Sequence, residues 1–292
     1  MPSDDRLSHG THMIMVHGVE QRYHVSGQGA VCVAHSGGPG INWEYLQMPL
    51  VERHFTMVYV EPIGTGLSGR LAGHPDGYSV ERYAQQLLGL LDALDLRRVF
   101  LIGHSHGGFV VQQLAIASPE RVAGLLLYDT SAITGGDFMG TAGEAVRQFC
   151  QRRAGDPEAQ DALQAWNSFG SMSSDSDYID VIRRLLPVYF ADPDRMRVVI
   201  EQFRSSLEAV LVHGDGQPFD VCGDLPGMSV PTLILVGEHD FICGPRWAGI
   251  LHSLIPDSQL VIFNESGHFA HIEQPEQFAK ALAGFATRID LH

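Results

Sequence analysis

The chain has 292 residues, 45% of them hydrophobic, and its 34 acidic and 19 basic residues give a formal charge of −15. That length allows one large α/β domain or two small ones, with enough apolar residues for a sizeable core. An acidic chain with no basic stripe excludes nucleic acid and anionic membrane as partners.

Residues 1–12 are polar, lack the apolar stretch of a signal peptide and read as a disordered tail. No run approaches the ~18 apolar residues of a spanning helix. Met13 to Val16 and Gln21 to Val25 read as an edge hairpin turning at His17-Gly18. Val31 to Ala34 is a compact apolar strand running into His35-Ser36-Gly37-Gly38-Pro39-Gly40. Asn42 to Arg53 reads as a helix carrying Trp43, Leu46, Met48 and Leu50, with Pro49 as a possible break. Phe55 to Val60 is the next strand. Ser79 caps a helix running to about Leu94, whose Tyr83, Leu87, Leu90, Leu91 and Leu94 share one face.

Val99 to Ile102 is a buried strand leading into Gly103-His104-Ser105-His106-Gly107. This is a G-x-S-x-G turn from strand to helix. Glycines flanking a serine let the two arms of such a turn pass closely and push the hydroxyl into open space. Val122 to Tyr128 is a further strand ending at Asp129. From about Ser131 to Gly227 the strand rhythm stops. Helical patterns near Ala142 to Arg153, Ala159 to Phe169, Ile179 to Phe190 and Arg195 to Val212 read as an inserted helical cap over 131–227. The core then comprises 13–130 and 228–292. It resumes with the strand Thr232 to Val236, the helix Trp247 to Leu254, the strand Gln259 to Ile262 and the helix Pro275 to Thr287. Alternation of strand and helix predicts an α/β fold, a mostly parallel sheet covered on both faces.

A serine hydroxyl needs a base to act as a nucleophile, and the base needs an orienting acid. In such sheets these groups sit on loops after the carboxyl ends of strands. Ser266-Gly267-His268 follows the last strand and supplies His268 as base. Gly237-Glu238-His239-Asp240 supplies Asp240 as acid, with Glu238 and Asp129 as alternatives. With Ser105 the order is Ser, Asp, His. The oxyanion donors are assigned to the amides of His106 and Gly38, with Gly37 next. The side chains of His104, His106, His239 and His271 read as turn and helix-cap residues. No histidine cluster has metal spacing, so neither metal nor cofactor is expected. Gly64-Thr65-Gly66-Leu67-Ser68-Gly69 matches G-x-G-x-x-G, but His-Pro-Asp-Gly follows where a helix would have to begin. It reads as a structural loop rather than a nucleotide site. The four cysteines, Cys32, Cys150, Cys222 and Cys243, lack CxxC spacing and read as free thiols in a reducing cytoplasm.

Taken together, these residues resemble the α/β-hydrolase superfamily from Met13 to Ala286. Gly37-Gly38-Pro39-Gly40 with Glu61-x-x-Gly64-x-Gly66-x-Ser68 is similar to its proline iminopeptidase branch. That branch has histidine where Ser36 stands, aspartate where Glu61 stands, and often tryptophan where His106 stands. The resemblance implies a serine hydrolase of a small-molecule ester, lactone or amide, acting through an acyl-enzyme. Carbon–carbon bond hydrolysis is a variant of the same chemistry. An iminopeptidase would in addition need cap carboxylates for a free amine, and Glu201 and Glu208 are the candidates. The third possibility is a ligand-binding protein that keeps the fold without turnover. The sequence leaves the oligomeric state open.

Overall fold

A computed structural model describes residues 6–290. Period-two alternation along its strands sorts the core into two layers. In Val122–Tyr128, Leu125 and Leu127 join one apolar cluster while Leu126 and Tyr128 join the other. Eight strands form a single sheet: β1 Gly10–Val16, β2 Val19–Gly27, β3 Ala30–His35, β4 Phe55–Glu61, β5 Val99–His104, β6 Val122–Tyr128, β7 Thr232–Gly237 and β8 Ser258–Phe263. Their spatial order is β1-β2-β4-β3-β5-β6-β7-β8. Strand β2 is antiparallel to both of its neighbours, and every other pair is parallel.

Parallel strands need crossovers, and the helices that make them cover both faces. Helices α1 (Val80–Ala93) and α2 (His106–Ala117) bury Leu87, Leu90, Val110 and Leu114 in the first cluster. Ser79 caps α1 through its hydroxyl, which accepts from the Arg82 amide at 3.2 Å. Between β6 and β7 lie α3 (Gly136–Arg152), α4 (Pro157–Ser168), α5 (Asp175–Leu185) and α6 (Arg197–Ser206). The first three of these helices have a core of their own, including Val146, Ala162 and Val181, closed by Phe241 from the loop after β7. Helix α7 (Pro245–Leu254) adds Leu251 to the first cluster. The short α8 (Ala270–Glu273) precedes α9 (Pro275–Asp290), whose Phe278, Leu282 and Phe285 fill the second cluster.

Three expectations need correction. Strand β1 starts at Gly10 and pairs along its whole length with β2, so residues 10–12 are sheet rather than tail. Edge pairing tolerates polar side chains because one side faces water. The rest of the expected tail, residues 1–5, lies outside the described residues. The helix expected over 42–53 is two single 3-10 turns, Glu44–Leu46 and Val51–Arg53, separated at Met48-Pro49. Proline lacks the amide a helix would need there. The last cap helix ends at Ser206, and the chain then runs extended over the core. There the Val210 amide donates to Gly40 O at 2.9 Å and the Asn42 amide to Glu208 O at 3.0 Å. Gly40 makes this seam possible: at φ +85° its Cβ would lie 1.9 Å from Val210 O.

The glycine-rich loop after β4 folds around one carboxylate. Glu61 is buried, and its Oε1 accepts from the amides of Leu67 and Ser68, the latter at 2.8 Å. Its Oε2 lies 3.2 Å from His24 Nε2. A Cβ on Gly66 would fall 2.4 Å from the same carboxylate, so the glycine spacing makes room for Glu61. Burial alone would raise the Glu61 pKa, but His24 and the two amides together hold it below the ordinary value. Glu61→Gln is expected to cost about 2 kcal/mol at neutral pH, the scale of charge-assisted hydrogen bonds lost from a buried acceptor. With a depressed folded pKa, this stabilisation is present above the unfolded pKa and is lost as pH falls through the folded one. The wild-type and variant denaturation midpoints should therefore converge in acid; a constant gap would rule out the carboxylate as the cause.

Candidate active site

Ser105 joins β5 to α2 with φ 54° and ψ −119°, a backbone region that few side chains occupy. Three features hold it there. The Ser105 amide donates to Tyr128 O at 2.9 Å, and Ser105 O accepts from Thr130 Oγ1 at 2.8 Å. A Cβ on Gly103 would lie 2.2 Å from Gly107 O, and one on Gly107 would lie 2.2 Å from His35 O. The two glycines of the pattern thus let the turn close against the end of β3.

The structure brings His268 and Asp240 together beside this turn. His268 Nδ1 donates to Asp240 Oδ2 at 2.7 Å, with both side chains almost fully buried. Asp240 Oδ1 accepts from the amides of Ile242 and Cys243 at 2.9 and 3.1 Å. These bonds fix the carboxylate, and the carboxylate fixes the imidazole tautomer, leaving Nε2 free for a proton. The cap also holds His268, whose amide donates to Tyr189 O at 2.7 Å. Glu238 is exposed and takes no part. The Ser105 hydroxyl sits beside the buried thiol of Cys243.

Of the two expected oxyanion donors, the amides of Gly38 and His106 have no protein acceptor among the described residues. Gly37, the second choice, already has an acceptor: its amide donates to Tyr45 Oη at 2.6 Å. His104 Nε2 donates to His268 O at 2.9 Å, so Nδ1 is the acceptor for the Tyr45 hydroxyl at 2.8 Å. Burial and the nearby His268 and His271 push the His104 pKa well down, consistent with this neutral ring. The ligand atoms of His104, Asp129 and His268 lie within 4.8 Å of one another. Both nitrogens of His104 are already bonded, which takes it out of any metal-binding role. Tyr45 was hidden from sequence reading because its stretch looks like an ordinary helix.

Core and cap together enclose a cavity of about 360 Å³ that reaches Ser105, His106 and His268. Trp166, Phe169, Tyr178, Ile182, Leu186 and Phe203 line it from the cap. Neither Glu201 nor Glu208 lines it; Glu201 is exposed and pairs with Arg204.

A family model described as alpha/beta hydrolase fold matches residues 11–275. The chain belongs to this α/β-hydrolase family. It is 29% identical over 291 residues to the 2-hydroxy-6-oxo-2,4-heptadienoate hydrolase of Pseudomonas putida, covering 95% of this chain and 96% of that one. It is 28% identical over 290 residues to a 2-hydroxymuconate semialdehyde hydrolase of a Pseudomonas species, covering 95% and 94%. Among solved structures, the enol-lactonase of Burkholderia xenovorans superposes with a TM-score of 0.69 at 23% identity, covering 94% of this chain and all 100% of that one. A hydrolase from Bacillus anthracis superposes at 0.72 with 18% identity, covering 94% and 98%. These structural neighbours bear on the fold alone.

One buried acid of this α/β-hydrolase remains to be placed. Asp129, at the end of β6, is fully buried with φ 44°. Its Oδ1 accepts from the Gly237 amide at 2.9 Å, and its Oδ2 has no partner among the described residues. Burial, and then the adjacent Asp240 carboxylate, drive its pKa well above the carboxylate range. Burial, with a second carboxyl group close by, thus keeps the proton on Asp129. Asp129→Asn is expected to leave turnover within threefold, since a neutral amide replaces a neutral acid and still accepts from Gly237. Asp129→Ala leaves that amide unpaired and should lower stability by about 1–3 kcal/mol. Denaturant unfolding of both variants checks this; an equal loss in both would mean that an ionised Asp129 is required.

Proposed function

We propose that the protein is a serine hydrolase that cleaves an ester, lactone or amide bond of a small molecule through an acyl-enzyme. The observation that carries this reading is the buried 2.7 Å bond from His268 to Asp240 next to a serine in a strained strand-to-helix turn. In this reading the Ser105 hydroxyl rotates from Cys243 toward His268 Nε2 and attacks the substrate carbonyl. His268 takes the proton, and Asp240 stabilises the imidazolium. The amides of Gly38 and His106 receive the negative charge on the carbonyl oxygen. Collapse of the tetrahedral intermediate expels the leaving group, which takes the proton from His268. Water then attacks the acyl carbon by the same route in reverse and frees Ser105.

No step of this cycle calls on a cofactor or a macromolecular partner. The four free cysteines are compatible with a reducing cytoplasm. No helix among the described residues is long and apolar enough to cross a membrane. The iminopeptidase reading is weakened by the absence of Glu201 and Glu208 from the cavity wall. Carbon–carbon hydrolysis is favoured as a second reading by the names of the curated relatives, which act on dienoates or a muconate semialdehyde.

The test is covalent labelling with a fluorophosphonate, wild type beside Ser105→Ala. Labelling is expected in the wild type and lost in the variant. Unlabelled wild type would instead favour a ligand-binding protein without turnover. Asp240→Asn, which upsets the imidazole tautomer, is expected to reduce kcat on p-nitrophenyl butyrate by about 10³–10⁴. Disappearance of a coloured dienoate, measured beside the ester, separates carbon–carbon from ester cleavage.

A further inference from the structure

The cavity walls carry information about charge. Among the described residues that line it there is no lysine or arginine. Three histidines line it, His104, His106 and His268. Burial keeps the first two neutral, with His106 pushed down to about 3 and His104 well below its usual range. His268 has the Asp240 carboxylate as its partner at 2.7 Å. Among the described residues the one acid in the lining is Glu44, at the exposed edge.

Three polar side chains in the walls are occupied by the protein itself. The Tyr45 hydroxyl serves Gly37 and His104. The Tyr178 hydroxyl donates to Pro39 O at 3.1 Å. The Asn42 side chain donates to Glu44 Oε2 at 2.8 Å and accepts from the Glu208 amide at 3.1 Å. The polar groups left for a ligand include no lysine or arginine: among them are Ser105, His268, the amides of Gly38 and His106, and the side chains of Trp166, Tyr189 and Gln202. A carboxylate entering this space would lose its hydration with no cation to replace it. The chain's formal charge of −15 and Glu44 at the edge add repulsion.

We infer that the substrate is uncharged and predominantly apolar, and that the cavity rejects carboxylates. The curated relatives described above are named for carboxylate substrates, a dienoate and a muconate semialdehyde. The inference separates this chain from them by the charge of what it accepts. It deepens the serine-hydrolase reading and rests on it for the place of the reacting bond, but binding alone can test it.

The experiment uses Ser105→Ala protein, which removes turnover, and titrates it by calorimetry with three ligands of one skeleton. These are 4-phenyl-2-butanone, 3-phenylpropanoate and 3-phenylpropylammonium. The ketone is expected to bind at least thirtyfold more tightly than either ion. Binding of the carboxylate or the ammonium within threefold of the ketone overturns the inference, as does absence of measurable ketone binding. On wild type, p-nitrophenyl butyrate should exceed mono-p-nitrophenyl succinate at least a hundredfold in kcat/KM. Comparable rates on the two esters overturn it as well. If Ser105 is not labelled by fluorophosphonate, the hydrolase reading fails while the calorimetry still decides the question of charge.

Discussion

The backbone of Ser105 is the constraint on which the rest of the site depends. A residue held at φ 54° persists only where its surroundings leave no alternative. Here β3, β5, β6 and α2 converge on it, and each leaves room through a missing side chain or supplies a hydrogen bond. Gly107 lets the end of β3 approach, Gly103 lets the helix start close over the strand, and Thr130 after β6 grips the Ser105 carbonyl. The His106 amide, which has no protein acceptor among the described residues, is aimed by the same turn. Strain at one residue is thus shared by four elements of the core, which act as a rigid support for a hydroxyl in open space.

Burial sets the electrostatics around that support. His35 and His271 are pushed down to about 4 by desolvation, and His106 to about 3. In a chain with fifteen histidines these remain neutral rings, serving as packing and hydrogen-bonding groups. Glu273 shows the same pressure in the other direction. It accepts from the amides of Ala191 and Gly267, at 2.9 and 2.7 Å, yet burial pushes it up to about 7. Water is kept away from Asp240 and His268 by the same surroundings, which strengthens the interaction between them.

Much of this was legible in the sequence where local chemistry alone decides structure. The turn around Ser105 announces itself because only glycine tolerates the close contacts, and the loops after β7 and β8 follow from strand rhythm. The choice of Asp240 over Glu238 and Asp129 followed from loop placement, but its physical ground was not legible. It depends on which carboxyl meets the imidazole across a separation of 28 residues, and on the proton that Asp129 keeps. Tyr45 was hidden because its partners, Gly37 and His104, are tertiary neighbours. The stretch 195–212 misled because an apolar rhythm cannot say where a helix stops, and its last third extends to meet Gly40 instead. The G-x-G-x-x-G stretch likewise owes its spacing to a buried glutamate that no local pattern reveals.

The seam at Gly40 bears on how this fold can be re-engineered. The segment that returns from the cap is bonded through Val210 and Glu208 to the loop that carries Gly38. A cap exchanged as a cassette ending at Ser206 would therefore meet a foreign return segment and a foreign glycine-rich loop after β3. The unit that keeps both of these bonds is the cap helices together with residues 207–210 and the loop 37–42. Recombination between relatives that respects this larger block should preserve the reaction centre while changing what the cavity admits.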